Sequence, residues 1–240
     1  MIKVTYIDHM GSDLSVVNAA RVSFGKNSKP LDHESLGDDP DMIPFLPEND
    51  TKLINYLARH HHKSPFNHAF ATFHVKAPIF VARQLQKHEY MPWNEISRRY
   101  VETQPTYYYP DKWRGRSKDK KQGSDGEVDL SAIKDTDHNN AILGSGTLEG
   151  HVIEISEWLL ETYKLLIDKG VAPEQARMVL PQSTMTEWYW SGSLYAFAKM
   201  CGLRLKPDTQ YETRLVAEQI EDKMTELFPE SWTALRAYAE

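Results

Sequence analysis

The sequence has a single cysteine, Cys201, among 240 residues. One thiol excludes an intrachain disulfide and a multi-thiolate metal site, and it fits a reducing compartment. The sequence also lacks an apolar run of the roughly 18 to 20 residues that a membrane-spanning helix needs, and its first residues lack the basic and apolar segments of a secretion signal. We therefore expect a soluble cytoplasmic protein without a membrane partner.

The sequence also has fewer basic residues than acidic residues. Lysine and arginine number 28 against 34 aspartate and glutamate residues, which leaves a net charge of −6. A chain with this balance is not built to coat a polyanion, so any anion must be bound locally. Since 40% of the residues are hydrophobic, the chain can bury its own core, and we predict a single domain over residues 1–240.

The spacing of apolar side chains predicts both strands and helices. Alternation predicts strands over residues 2–6, 69–76 and 184–190. Helical spacing and capping residues predict helices over residues 18–24, from an N-cap at Asp50, and over residues 79–89, 147–169, 173–180, 193–203 and 209–227. The helix over residues 147–169 resembles a central scaffold helix, capped by Gly170 and with a buried stripe formed by Val152, Ile155, Leu159 and Leu166.

Two segments lack a regular pattern. Residues 25–49 are rich in proline, aspartate, glycine and serine, which indicates an irregular surface excursion. Residues 107–146 have few large apolar side chains and include a basic run at residues 112–121, so we predict an inserted or mobile loop. One interpretation is that the run and the nearby tyrosines follow a single-stranded nucleic acid. Acidic residues interrupt and follow the run, so we favour a solvated loop and expect no nucleic-acid partner.

The densest group of chemically active side chains lies in residues 83–100. At about 100° per residue, Arg83, Gln84, Lys87 and His88 form one polar arc on the helix predicted over residues 79–89. After Pro92, an amide, a carboxylate, a hydroxyl and two guanidinium groups follow within residues 93–100. A loop of this composition can present donors to a phosphate and acceptors to a base. For the arc alone, a solvated helix face is the alternative.

These residues resemble the flavin-dependent thymidylate synthases. That family carries Ala-Arg-Gln, then Arg-His-Arg, then Ser-x-Asn-Glu-x-Ser-x-Arg-Tyr, and the matching residues here are 82–84, 87–89 and 92–100. Further family segments occur in the same order at residues 20–23, 62–68, 73–78, 176–181, 186–190, 203–205 and 210–212. The resemblance implies an α/β (α+β) fold with a mixed or antiparallel sheet flanked by helices.

The resemblance also implies a chemistry. Members of the family make dTMP from dUMP, with methylenetetrahydrofolate as carbon donor, FAD as hydride carrier and NADPH as reductant, in a homotetramer with shared active sites. Cysteine-dependent thymidylate synthases instead attack the uracil ring with a thiolate. Cys201 shares a helical stripe with Leu194, Phe197, Ala198 and Leu205, so we predict an inert thiol in the core. A mechanism without a thiol is consistent with that position.

Residue roles carry over from the family position by position. Arg204 matches the catalytic arginine beside the uracil, where a fixed cation favours ionisation at N3 and so activates the ring. The implied dUMP-binding residues are Gln84, Lys87, Glu95, Ile96, Ser97, Arg98, Arg99, Arg177 and Arg204, with Arg177 reaching the nucleotide from another subunit. The implied FAD-binding residues are His62, Ser64, Lys87, His88, Glu89, Glu95, Ser193, Tyr195 and Lys199. For each arginine taken alone, the alternative is a surface ion pair.

Several flavin-side positions depart from the family pattern. Lys87 and Glu89 replace the two arginines of Arg-His-Arg, Pro92 replaces a serine, and Lys199 replaces an asparagine. Lys87 still offers a point charge to a phosphate, whereas Glu89 repels one unless Lys199 or Arg98 compensates. We expect FAD to bind with weaker affinity, through altered contacts to its adenine and phosphates. The alternative is a nucleotide-binding relative with weakened or lost flavin chemistry. These substitutions are similar to those of bacteriophage members of the family.

Four histidines invite a metal-hydrolase interpretation, namely His60, His61, His62 and His68. Adjacent residues on a helix point about 100° apart, so the triplet cannot supply three ligands to one ion, and no His-Glu-x-x-His pattern is present. We therefore expect no bound metal. His68 and His74 are expected to be buried and hydrogen-bonded.

Overall fold

A computed structural model describes residues 1–30, 46–101, 103–118, 123–133 and 146–238. The strands are β1 (Lys3–Met10), β2 (Phe70–Pro78), β3 (Trp93–Glu95), β4 (Arg114–Arg116), β5 (Ser124–Glu127) and β6 (Met185–Ser193). The α-helices are α1 (Asp13–Arg21), α2 (Glu48–Arg59), α3 (Ile79–Leu85), α4 (Leu148–Asp168), α5 (Pro173–Ala176), α6 (Leu194–Arg204), α7 (Tyr211–Leu227) and α8 (Pro229–Ala237). In the described ranges, no helix combines the length and apolar character needed to cross a bilayer.

A four-stranded antiparallel sheet lies at the centre of the fold, in the order β1-β2-β6-β3. β2 and β6 pair along their whole length, with Phe73 opposite Trp190 and Val75 opposite Trp188. These four side chains are buried, whereas His74, between them on β2, points to the other face and is partly exposed. The sheet therefore has one buried face, and the predicted α/β fold with an antiparallel sheet flanked by helices is confirmed.

Helix α6 packs on the buried face of this sheet. Its Phe197 ring makes edge-to-face contacts with Phe73, at a centroid distance of 5.2 Å, and with Trp190, at 5.4 Å. On the same helix Cys201 is fully buried, and burial raises the pKa of its thiol well above the ordinary value. The prediction of an inert thiol in the core is confirmed, because a thiol held in its neutral form is a poor nucleophile.

Some predicted helix boundaries are wrong. The helix predicted over residues 79–89 ends at Leu85, because the chain must turn there to bring β3 back beside β6, and Tyr90 adopts a φ of +60° in that turn. Asp50 is not an N-cap. It lies in the first turn of α2, where its buried carboxylate accepts hydrogen bonds from the side chains of Arg21 and Ser28. The carboxylate of Asp50 therefore binds residues distant in sequence and does not cap its own helix.

Helix α4 has the predicted bounds but not the predicted burial. Thr147 caps its first turn, and Gly170 follows its last turn with a φ of +80°, a value that suits glycine. Ile155, in the predicted buried stripe, is 49% exposed, and the neighbouring Trp158 is 68% exposed. In the described part of the chain α4 packs mainly against α5 and the short 3-10 helix Arg177–Val179. It is therefore a peripheral helix with an exposed apolar face.

Four elements were not predicted from the sequence. β3 is only three residues long, α8 follows α7 after a one-residue break, and β4 pairs with β5 within the predicted insertion at 107–146. We call this pair of strands the β4–β5 ribbon. Residues 31–45 of the predicted surface excursion, and residues 119–122 and 134–145 of the predicted insertion, lie outside the described ranges.

The buried side chain of Asp13 joins the two ends of the chain. Its carboxylate oxygens accept hydrogen bonds from the backbone N–H groups of Glu230 (3.0 Å) and Ser231 (2.9 Å). These groups belong to the first turn of α8, where no intrahelical acceptor is available. Asp13 of α1 therefore acts as the cap of α8 from a distant part of the sequence.

Replacing Asp13 with alanine is expected to lower the free energy of unfolding by about 1–2 kcal/mol, since two buried donors lose their acceptor. Urea denaturation monitored by circular dichroism measures this loss. Asp13→Asn keeps one carbonyl acceptor and should lose less, while Asp222→Ala at an exposed position of α7 serves as the control. Equal stabilities for Asp13→Ala and Asp222→Ala would contradict the capping role.

Candidate active site

The C-terminal ends of α3 and α6 meet at Arg204. The Nε atom of Arg204 donates to Nε2 of His88 at 3.0 Å, and Nη2 donates to the backbone carbonyl of Gln84 at 3.2 Å. Both acceptors are neutral, so these contacts orient the guanidinium group without neutralising its charge. Burial lowers the pKa of Arg204 from its ordinary value. The site thus holds a fixed, partly desolvated cation.

His88 is kept neutral by its surroundings. Burial, together with the positive charges of Arg204 and Lys199, lowers the pKa of His88 to about 4. An arginine can only donate hydrogen bonds, so Nε2 of His88 must be the acceptor and the ring proton must sit on Nδ1. His88 thus feels a positive charge from each of the two cavities described below, since Arg204 lines one of them and Lys199 lines the other.

Arg204 lines a cavity of about 900 Å³, which we call the Arg204 cavity. Of the predicted dUMP-binding residues, Gln84 and Lys87 share it with Arg204. Lys206 adds a further cation, whereas Lys112 and Arg114 are paired with Glu127 and Glu212. The lining has more cations than anions, so the cavity is locally basic although the chain is acidic overall. A pocket of this size suits a small organic ligand, and its charge favours an anion such as a nucleotide phosphate.

The β4–β5 ribbon and the residues before it form one wall of the Arg204 cavity. Arg114 donates to the buried carboxylate of Glu212 at 2.6 Å, and its guanidinium group lies 4.6 Å from the centroid of the Tyr211 ring. Gly123 has a φ of +93°, and a Cβ atom there would lie 3.2 Å from the carbonyl oxygen of Asp208. The prediction of a solvated loop is therefore wrong for Arg114, because a buried partner distant in sequence draws its side chain inwards.

A second, smaller cavity of about 260 Å³ contains three of the predicted FAD-binding residues, His62, Tyr195 and Lys199. Lys63 also lines it, with Nζ 5.5 Å from the centroid of the Tyr195 ring. We call it the Lys199 cavity. It combines two ammonium groups, an imidazole and an aromatic face, which are groups that bind phosphates and flat rings.

Three other predicted FAD-binding residues have positions of a different kind. Ser193 is buried, where its hydroxyl lies 2.6 Å from Oδ1 of Asn67 and accepts from the backbone N–H of Ala196 as the N-cap of α6. Ser64 is exposed and precedes the 3-10 helix Pro65–His68. Glu89 is exposed in the turn after α3. Within this chain, the side chain of Ser193 therefore stabilises the junction between β6 and α6.

The loop after β3 lies away from the Arg204 cavity. Glu95 accepts from the hydroxyl of Thr186 at 2.6 Å, and the backbone N–H of Ile96 donates to Glu187, so both residues hold this strand to β6. The hydroxyl of Ser97 accepts from the backbone of Arg99 at 3.3 Å. Arg98 and Arg99 line a third cavity, of about 370 Å³, whose other walls include Tyr163 and Lys164 of α4. Arg177 is exposed at the end of α5.

The predicted histidine cluster packs against an aromatic ring. His60 and His62 pack beside the Tyr56 ring, at centroid distances of 4.4 Å and 6.0 Å. Within the described residues, no three His, Cys, Asp or Glu side chains are placed to hold one metal ion. His68 is exposed at the end of a 3-10 helix, so its predicted burial is wrong, whereas His74 is partly buried with Nε2 3.4 Å from Glu187.

Comparison with known proteins identifies the class to which this fold and site belong. The model of the thymidylate synthase complementing protein family matches residues 5–230. The flavin-dependent thymidylate synthase of Thermus thermophilus is 37% identical over 236 residues, covering 98% of this chain and 76% of that protein. The enzyme of the same name from Thermosipho africanus is 36% identical over 233 residues, covering 97% and 90%.

A solved structure is also similar. It is a UMP/dUMP methylase, PolB from Streptomyces cacaoi, bound with 5-Br dUMP, and it matches with a TM-score of 0.76 and 32% identity over 100% of this chain and 96% of that chain. The chain therefore belongs to the flavin-dependent thymidylate synthase family, and the resemblance predicted from the sequence is confirmed.

Sequence reasoning missed the residues that complete the Arg204 cavity opposite α6. Tyr108, Arg114, Gln210 and Glu212 all line it, yet none carried a predicted role. Burial, with Glu212 as a nearby negative charge, raises the pKa of Tyr108 to about 12, so its hydroxyl stays protonated and donates to Glu212 at 3.4 Å. Two signals were available, namely the match of residues 210–212 to a family segment and the basic run that follows three tyrosines.

His88 is expected to make stability fall as the pH is lowered from about 6.5 to about 4. In this interval the unfolded chain binds a proton at His88 and the folded chain does not, so protonation favours unfolding. Thermal unfolding of the wild type and of His88→Gln, which keeps an acceptor for Arg204 but does not titrate, measures the effect. The wild type should lose more Tm between pH 7 and pH 4.5.

His68→Gln, at an exposed histidine, is the matched control and should follow the wild type. If the curves of the wild type and His88→Gln stay parallel over the whole interval, His88 is not held neutral by the fold.

Proposed function

We propose that this protein is a flavin-dependent thymidylate synthase that converts dUMP to dTMP. Methylenetetrahydrofolate is the proposed carbon donor, FAD the hydride carrier and NADPH the reductant, in the cytoplasm. The observation that carries the proposal is Arg204, fixed at the wall of a basic cavity by two neutral acceptors. Membership of the family and the names of the relatives support the same activity.

Arg204 suits activation of a uracil ring. A cation held beside an imide stabilises the anion formed at N3, and its effect is larger in a partly desolvated site than in water. Because His88 and the carbonyl of Gln84 are neutral, the positive charge of Arg204 is left for the ligand. His88 thus orients the arginine without competing for its charge.

The residues of the Lys199 cavity fit part of an FAD molecule. When bound, FAD supplies the hydride. Lys199 and Lys63 offer cations to the phosphates, and Tyr195 offers an aromatic face to a ring. At about 260 Å³, the cavity is smaller than the roughly 300–1,000 Å³ of a typical ligand pocket. One chain therefore holds part of the cofactor, and we infer that another subunit encloses the rest.

A homotetramer with shared active sites accounts for the positions of the remaining predicted residues. Arg98 and Arg99 lie beside α4, and Arg177 lies at the end of α5. None of the three lines the Arg204 cavity formed by the described residues of the same chain. The exposed apolar face of α4, with Trp158 and Ile155, is of the kind that subunit contacts cover. We propose that these arginines reach the nucleotide of a neighbouring subunit.

The nucleic-acid alternative is not favoured. It needs the basic run to be free for a phosphate backbone, yet Arg114 is paired with the buried Glu212, and Lys112 lies 3.0 Å from Glu127. The net charge of −6 also opposes binding to a polyanion.

Two substitutions are expected to separate the roles of the cavities. Arg204→Ala should lower the rate of dTMP formation at least a hundredfold, because the cation that stabilises the ring anion is lost, while FAD content stays near that of the wild type. Lys199→Ala, in the Lys199 cavity, should do the reverse, lowering FAD content more than turnover of the loaded enzyme. Absorption spectra give the flavin content, and anaerobic NADPH with dUMP and methylenetetrahydrofolate gives the turnover. Equal losses of both quantities in both variants would indicate unfolding instead.

Replacing the single cysteine should leave the activity intact. Cys201→Ala removes a thiol that lies in the core with a raised pKa, so we expect dTMP formation within about twofold of the wild type and only a loss of stability. Met200→Ala, at the neighbouring buried position, is the control for core damage. A loss of turnover in Cys201→Ala that exceeds the loss in Met200→Ala would contradict a thiol-free mechanism.

A further inference from the structure

Hydrogen bonds join three side chains in a row, namely Glu212, Gln210 and Gln84. Nε2 of Gln210 donates to Oε2 of Glu212 at 3.3 Å, and Nε2 of Gln84 donates to Oε1 of Gln210 at 3.3 Å. At the other end, Oε1 of Glu212 accepts from Arg114 at 2.6 Å. We call Glu212, Gln210 and Gln84 the amide relay.

The ionised carboxylate of Glu212 sets the direction of the amide relay. A carboxylate only accepts hydrogen bonds, so Gln210 must turn its NH₂ group towards Glu212. The side-chain carbonyl oxygen of Gln210 then faces Gln84, so Gln84 must donate a hydrogen bond from its own NH₂ group. Arg114 donates to the same carboxylate, which is only 3% exposed, so Glu212 is surrounded by hydrogen-bond donors.

The amide relay leaves one acceptor unused at its end. Oε1 of Gln84 is buried and has no hydrogen-bond partner among the residues that the structure describes. Its backbone carbonyl binds Arg204, and the residue lines the Arg204 cavity. A buried oxygen without a partner costs free energy, and a donor on a ligand would remove that cost.

We propose that Gln210 and Glu212 are positioning residues for dUMP, which act through Gln84 by holding its carbonyl oxygen as the acceptor for a donor on the nucleotide. Arg114, from the segment predicted as an insertion, clamps the distant end of the amide relay. This inference rests on the proposed function and adds a role for Arg114, since the β4–β5 ribbon then influences recognition of the nucleotide.

The amide relay has a signature that a structural role lacks. If Gln210 acts through Gln84, its removal should matter only while Gln84 is present. A residue that merely stabilises the fold would cost the same in either background, because effects of independent sites add. A double-mutant cycle on dUMP affinity separates the two cases.

The experiment measures the Kd of dUMP by isothermal titration calorimetry on the FAD-loaded full chain. Gln210→Met and Glu212→Gln should each raise the Kd about tenfold, the size expected for one hydrogen bond, at unchanged FAD content. In a Gln84→Met background, adding Gln210→Met should change the Kd by less than about twofold. Arg114→Met should follow the same pattern. Gln219→Met, on the same helix but outside the amide relay, is the control and should bind dUMP normally.

Several results would overturn the inference. An unchanged Kd in Gln210→Met, or the same tenfold loss in the Gln84→Met background, would assign Gln210 and Glu212 to folding alone. An equal loss for Arg114→Met in both backgrounds would mean that Arg114 touches the nucleotide directly rather than clamping Glu212. If the wild type binds FAD but no dUMP, the proposed function itself is overturned. If the wild type binds dUMP and the variants bind it equally well, only the role of the amide relay is overturned.

Discussion

The pairing of β2 with β6 is the constraint on which the site depends. The two strands are separated by more than a hundred residues of chain, yet they pair without a break from Phe70 opposite Ser193 to Pro78 opposite Met185. Helix α3 leaves one end of this pair and α6 leaves the other, so the register decides where their C-terminal ends meet. A slip of one residue would turn the buried aromatic side chains outwards and separate Arg204 from His88.

The electrostatics of the site depend on neutral partners. An arginine beside a carboxylate forms an ion pair, which leaves less of its positive charge for a ligand. Arg204 instead is held by an imidazole and a carbonyl group, and the imidazole stays neutral because it is half-buried between Arg204 and Lys199. The opposite wall has the contrary arrangement, because there the Glu212 carboxylate pairs with Arg114 and also accepts from two neutral donors. An acidic chain can therefore contain a basic cavity.

The sequence determined much of the fold of this protein. Alternating side chains predicted β2, strand-favouring composition predicted β6, Gly170 predicted the end of α4, and ordered motifs predicted the family. These features are local, because strand alternation, helix caps and short motifs depend on neighbouring residues. The burial of Cys201 followed in the same way from the helical stripe around it.

Contacts between distant residues decided the rest. The end of α3 at Leu85, the use of Asp50 by Arg21 and the capping of α8 by Asp13 all involve partners far away along the chain. Likewise, no local pattern shows that Arg114 turns inwards to Glu212, or that the apolar face of α4 lies outwards. The sequence by itself therefore determined which chemical groups this protein has and which elements carry them. Only the tertiary structure decided which groups meet, because hydrogen bonds and ion pairs form between atoms that folding brings within about 3 Å, whatever their separation in sequence.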